Sequence, residues 1–167
     1  MVRIETVLDG WNTVREDTVQ AVLDLPGGDL SFRPAPELMS FGEIARHILD
    51  AGHGLTGMLL EGVEDFMAGN FRERVRQLAP PLPAGAAAGE VVEQLHRSMD
   101  QRIAQLRGQH AGFFGGMVTR WDGARLTRLE MLQFLKEHEL THRSQLFLYL
   151  RLRGVVPPTT RRRMAKQ

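Results

Sequence analysis

Five consecutive residues hold most of the chemistry available to this sequence: His138-Glu139-Leu140-Thr141-His142. Imidazoles at i and i+4 lie on one helix face, about one turn apart. Stepped at roughly 100° per residue, both fall within the apolar stripe of their helix, beside Met131, Leu135, Leu146 and Tyr149. An unpaired polar group inside a core costs roughly 1–3 kcal/mol, so two imidazoles there need partners. A shared metal ion would satisfy both at this spacing. Six histidines give about 0.2 such pairs by chance, so the place in the stripe weighs more than the spacing.

The same string reads as HExxH, the zinc-peptidase pattern, in which Glu139 would be the general base. Such peptidases take a third ligand downstream, yet no His, Asp or Glu follows His142. The extended pattern HExxHxxGxxH also fails, with Gln145 at its glycine and Leu148 at its third histidine. A third ligand must therefore come from upstream, where His47, His53, His96 and His110 stand. His53 falls opposite the apolar stripe of its helix and is expected to meet solvent. His110 sits in a glycine-rich stretch with nothing to fix its position. His96 lies beside Val92 and Met99, and His47 at the edge of a stripe with Ile44 and Ala51; spacing alone separates these two only slightly.

The elements that must position these groups are helices. Ile4, Val7, Leu8, Trp11 and Val14 form one stripe, ended by Pro26-Gly27-Gly28. Ser40 and Glu43 make a capping box that opens a second helix with Phe41, Ile44, Ile48, Leu55, Met58 and Leu59 on one face. Gly52, Gly54 and Gly57 imply that this helix either packs closely there or ends early. Arg72 to Arg76 predict a polar helical turn, and Pro80, Pro81 and Pro83 a linker. A third long helix is expected over about Ala87 to Leu106, and a fourth from Thr127, whose capping-box partner is Glu130, to Gly154. Residues 108–126 read as irregular, with Phe113, Phe114 and Trp121 free to fold onto the core. No run of alternating Val, Ile and Thr suggests a strand. The expected fold class is all-α, a four-helix bundle with long inter-helix connections.

The 167 residues are 43% hydrophobic and 25% charged, which fits one soluble domain over 1–167 and excludes global disorder. Cysteine is absent, so there is no disulfide framework, no thiolate-ligated zinc and no thiol nucleophile. No signal peptide is visible, and the apolar run Leu146–Leu150 is too short to span a bilayer; a cytoplasmic protein without membrane contact is expected. The net charge of +1 hides an asymmetry: residues 1–150 carry fifteen basic against twenty acidic groups, and six basic residues with no acid follow. An acidic body argues against a nucleic-acid partner. Residues 156–167, with Arg161–Arg163, are expected to be a solvated basic tail.

Two stretches resemble a known family. Ser40-Phe-Gly-Glu-Ile-Ala-Arg-His47, preceded by Phe32-Arg-Pro34, is similar to the second-helix signature of the DinB-like superfamily. His138-Glu-Leu-Thr-His142-Arg-Ser-Gln145-Leu, followed by Tyr149-Leu-Arg-Leu-Arg-Gly154 and Pro157-Pro158, resembles its fourth-helix signature. One departure is Ser144, where many relatives have glycine. The resemblance implies a four-helix bundle holding a divalent metal by three histidines, matching His47, His138 and His142. Three imidazoles suit Zn, Ni, Cu and Fe comparably, with zinc or nickel the first expectation. It further implies a thiol S-transferase, in which the metal activates a bacillithiol- or mycothiol-type thiol for attack on a small electrophile. The alternative it implies is a non-catalytic metal-binding dimer of the stress or DNA-damage response. A homodimer is expected in either case. Glu139 is expected on the exposed helix surface and Arg143 in a surface ion pair; the competing roles are a base or orienter for Glu139 and a thiol-carboxylate contact for Arg143.

Overall fold

Amphipathic stripes of this length bury themselves by meeting one another. In the computed structural model, which describes residues 3–166, the chain runs α1 (Ile4–Leu23), α2 (Phe41–Leu60), α3 (Phe71–Leu78), α4 (Ala88–Arg107), α5 (Ala111–Gly115), strands β1 (Met117–Thr119) and β2 (Arg125–Thr127), α6 (Arg128–Leu152) and α7 (Pro158–Met164). The four long helices α1, α2, α4 and α6 form the expected bundle. α1 and α2 each pack against both α4 and α6. The diagonals are therefore α1 with α2 and α4 with α6, and the chain crosses each by a long connection.

Both predicted capping boxes form. The Glu43 N–H donates to Ser40 Oγ at 3.2 Å and the Ser40 N–H to the Glu43 carboxylate at 2.6 Å. At the head of α6 the Glu130 N–H donates to Thr127 Oγ1 at 3.2 Å, and the Thr127 N–H to Glu130 at 2.7 Å. These caps fix where α2 and α6 begin, and so the rotation at which their histidines emerge.

The core is two apolar clusters with a polar layer between them. One gathers Trp11, Leu55, Met58, Met99, Met131 and Leu135; the other gathers Val22, Phe41, Ile48, Leu95, Leu146 and Tyr149. Between them, at mid-bundle, lie the buried polar groups Arg15, Thr18, Ser98 and Glu139.

Three expectations are corrected. Residues 117–127 are not irregular: β1 and β2 pair antiparallel, with Met117 opposite Thr127 and Thr119 opposite Arg125. Strands of three residues are too short to show alternation. The hairpin is anchored by two backbone bonds, from the Phe66 N–H to Thr119 O and from the Thr119 N–H to Glu64 O. The basic tail is not simply solvated: α7 docks on α1, where Arg161 pairs with Asp24 and Arg162 with Asp17, each at 2.6 Å. His53 is buried, because α3 and α4 also pack on α2 and leave no wet face at that level. Among the described residues no helix is long and apolar enough to cross a membrane.

Of the two outcomes open to the α2 glycines, close packing is the one observed. A Cβ on Gly54 would stand 2.8 Å from the Val75 carbonyl oxygen, and one on Gly57 2.6 Å from the Arg102 guanidinium. Gly54 thus lets the backbone of α3 lie on α2, beside the histidine face. Gly54→Ala is expected to cost about 1–3 kcal/mol through overpacking. Gly89→Ala, in α4 with open space around it, should instead stabilise by about 0.5–1 kcal/mol. Urea unfolding of the two variants checks the opposite signs.

Candidate metal centre

Glu139 sets the orientation of α6. It is 2% exposed, against the expectation of a surface position, and its carboxylate is saturated. Oε1 accepts from Arg15 Nε at 2.7 Å and Thr18 Oγ1 at 3.1 Å; Oε2 accepts from Trp11 Nε1 at 2.7 Å and Arg15 Nη2 at 2.8 Å. Arg15 Nη1 continues the network to the Leu95 carbonyl and Ser98 Oγ. Arg15 and Trp11 engage both oxygens, with the Thr18 hydroxyl shared between Oε1 and the Val14 carbonyl, so Glu139 is neither a free base nor a ligand. It is a buried clamp between α1 and α6. A second pair runs with reversed polarity, Arg143 of α6 donating to Asp17 of α1 at 3.0 Å. Arg143 is consequently half-buried and committed to a structural partner rather than placed at the surface.

With Glu139 turned into the core, His138 and His142 stand roughly 100° and 60° to one side of it, on the flank facing α2. They are half-buried rather than central in the stripe. From α2, His47 meets them. Its Nε2 lies 3.0 Å from His138 Nε2, and its ring centroid 4.6 Å from that of His142. One nitrogen of each of the three rings lies within 4.8 Å of the others. The other candidates lie elsewhere. His53 points into the contact with α4, His96 sits 3.4 Å from Glu16 at the surface, and His110 precedes α5 with its side chain making no cap bond.

The rings are suited to a cation. Burial holds His47 below the ordinary histidine value, with His142 adding to the effect. The His138 pKa is pushed down to about 4, mainly by burial and then by His142 and His47. His47 and His138 are thus uncharged near neutrality, the form in which imidazole binds a metal. His142 Nδ1 sits 2.7 Å from Gln145 Oε1; an N–H donated there leaves Nε2 with its lone pair, the usual support of a ligating histidine. Imidazole nitrogens around one tetrahedral ion stand about 3.3 Å apart, close to the 3.0 Å between His47 and His138. The three residues fit a divalent ion.

Two cavities share His47 and Asp50. One, of about 440 Å³, is also lined by His138, Phe71, Phe134 and Trp121. The other, of about 510 Å³, extends past Ser31, Ser40, Glu43 and Arg46. Burial raises the Asp50 carboxyl, while Arg46 opposes that by donating through Nε to both oxygens at 2.8 Å. The two cavities themselves were not legible in the sequence, since their walls come from distant segments.

The family model described as the DinB family matches residues 1–167. Among solved structures, a DinB-like protein from Bacillus subtilis, YjoA, superposes with a TM-score of 0.67 at 19% identity. The match covers 89% of this chain and 92% of that one, and it speaks to the fold. No curated protein sequence matches.

Replacing Glu139 by Gln leaves the Arg15 charge buried without its counter-ion, which should cost about 3–5 kcal/mol in urea unfolding. The His53 pKa is also pushed down to about 4, by burial first and Arg102 second. Between that value and about 6.5, the unfolded chain takes up protons that the folded chain refuses. Stability of the metal-free protein should therefore be full above about pH 6.5 and fall as the pH drops toward 4. The fall should be shallower in His53→Gln, as read from thermal midpoints across pH.

Proposed function

The chain belongs to the DinB family, and from that premise we propose that it is a metal-dependent thiol S-transferase. His47, His138 and His142 would hold a divalent ion, zinc or nickel, and the substrates would be a low-molecular-weight thiol of the bacillithiol or mycothiol type and a small electrophile. The observation that carries this reading is the convergence of the three imidazoles at the wall of a cavity open to solvent rather than in a sealed core. When bound, such an ion supplies a centre that keeps a thiol in its thiolate form near neutral pH.

The chain's own residues do the rest. Gln145 orients His142, and the Glu139–Arg15 clamp holds α6 so that His138 and His142 face His47. Phe71, Phe134 and Trp121 form an apolar wall that excludes water from one side of the triad. In the transfer, the thiol sulfur forms a bond to the electrophilic carbon. The leaving group departs with its electron pair, and the thiol proton passes to solvent.

Protein purified without a histidine tag should hold close to one equivalent of divalent metal, lost in His47→Ala and in His142→Ala, by elemental analysis. The loaded protein should convert monobromobimane and a bacillithiol- or mycothiol-type thiol to the thioether and bromide faster than the uncatalysed reaction. His138→Ala should abolish the excess rate. Wild type that takes up no zinc or nickel on reconstitution overturns the metal assignment; bound metal without conversion of any thiol overturns the transferase and leaves a binder. Gln145→Ala should weaken metal affinity about 10–100-fold with folding intact, measured by competition with a chelator.

A further inference from the structure

The cavity beside His47 and His138 has a chemical character of its own. One side is aromatic: Trp121 stands 5.4 Å from Phe71 and 5.5 Å from Phe134 between ring centroids, and Phe134 stands 6.4 Å from His138. The rings thus run continuously from α3 to the histidine triad. Trp121 is 39% exposed, so part of its ring is accessible to a ligand in the cavity. The other side is cationic. Arg72 and Arg76, one turn apart on α3, both line the cavity.

The neighbouring acids have other partners: Glu73 of α3 accepts from Gln77 at 3.3 Å rather than from either arginine. Glu61 pairs with Arg74, and Asp50, the acid in the lining, is held on both oxygens by Arg46. Among the described residues neither Arg72 nor Arg76 has an acidic partner. Two unpaired guanidiniums in one lining, on a body with more acids than bases, form an anion-recognition edge. The volume of about 440 Å³ lies within the range of small-molecule sites.

We propose that this cavity takes a small molecule with a flat apolar body and an anionic group, the body against Trp121 and Phe134 and the anion on Arg72 and Arg76. Resting on the transferase reading, that molecule is the electrophilic substrate. Its ring lies next to the triad, and its carboxylate or sulfonate points away toward α3.

Calorimetric titration of the full-length, metal-loaded protein with 2-naphthoate and with neutral 2-naphthalenemethanol tests the assignment, since neither probe needs a thiol or turnover. Naphthoate is expected to bind at least about tenfold more tightly. The double variant Arg72→Gln/Arg76→Gln should erase the difference without changing metal content, and Trp121→Ala should weaken both ligands. Chelated, metal-free protein should keep the preference. The proposal is overturned by equal affinities, by binding of neither probe, by a preference that survives in the arginine variant, or by one that vanishes only with the metal. The last result would place the carboxylate on the ion. Bimane conversion is scored separately: naphthoate held by the arginines without any thiol conversion would retire the transferase and keep the pocket, and the converse would retire the pocket alone.

Discussion

A carboxylate buried at mid-bundle constrains everything around it. Glu139 cannot lie between two apolar clusters unless its charge and lone pairs are met, and the groups that meet them, Arg15, Trp11 and Thr18, all come from α1. That requirement fixes the axial register of α6 on α1 as well as its rotation. Asp17 and Arg143 repeat the contact with the charges exchanged, so a one-turn slip would set unlike partners apart and leave buried ions unpaired. Ion pairs of this kind add little net stability over apolar packing, but breaking one is costly. Their effect is to exclude alternative alignments. The histidines flanking Glu139 inherit that precision.

Much of this frame is legible in the sequence because it is local. Stripes at helical spacing and two capping boxes lie within a few residues of one another, and they locate the four long helices to within a residue or two. His138 and His142 are marked by their places near a stripe, His47 is chosen over His96 by the family resemblance, and the structure brings the three together. The missed features depend on partners distant in the chain. Glu139 looks exposed until Arg15, 124 residues away, is placed beside it. His53 looks wet until α3, which carries no buried residue of its own, is laid against α2 at Gly54. The apolar stripe of α6 lies a fraction of a turn from its buried face for the same reason. Apolar residues alone centre the stripe near the histidines, whereas the buried glutamate draws the true centre away from them.

The half-burial of the triad reconciles two demands. Enough apolar surroundings are needed to keep the rings unprotonated, as the lowered values at His47 and His138 show. Enough access is needed for a ligand to arrive from outside. A position on the flank of α6, between polar layer and cavity, meets both. A triad at the centre of the stripe would be dry and closed, and one on the outer face would be wet and charged at mildly acidic pH.

The walls of the aromatic cavity belong to α3 and to the hairpin loop, segments inserted between bundle helices, while its floor belongs to the bundle itself. Inheritance can therefore act on the two parts at different rates. Length and composition of the stretches between α2 and α4 and between α4 and α6 can drift, and the shape presented to a visiting molecule drifts with them, without disturbing Glu139 or the rings it orients. One scaffold could in this way diversify into proteins that admit unrelated ligands, each carrying the same three imidazoles behind a different doorway.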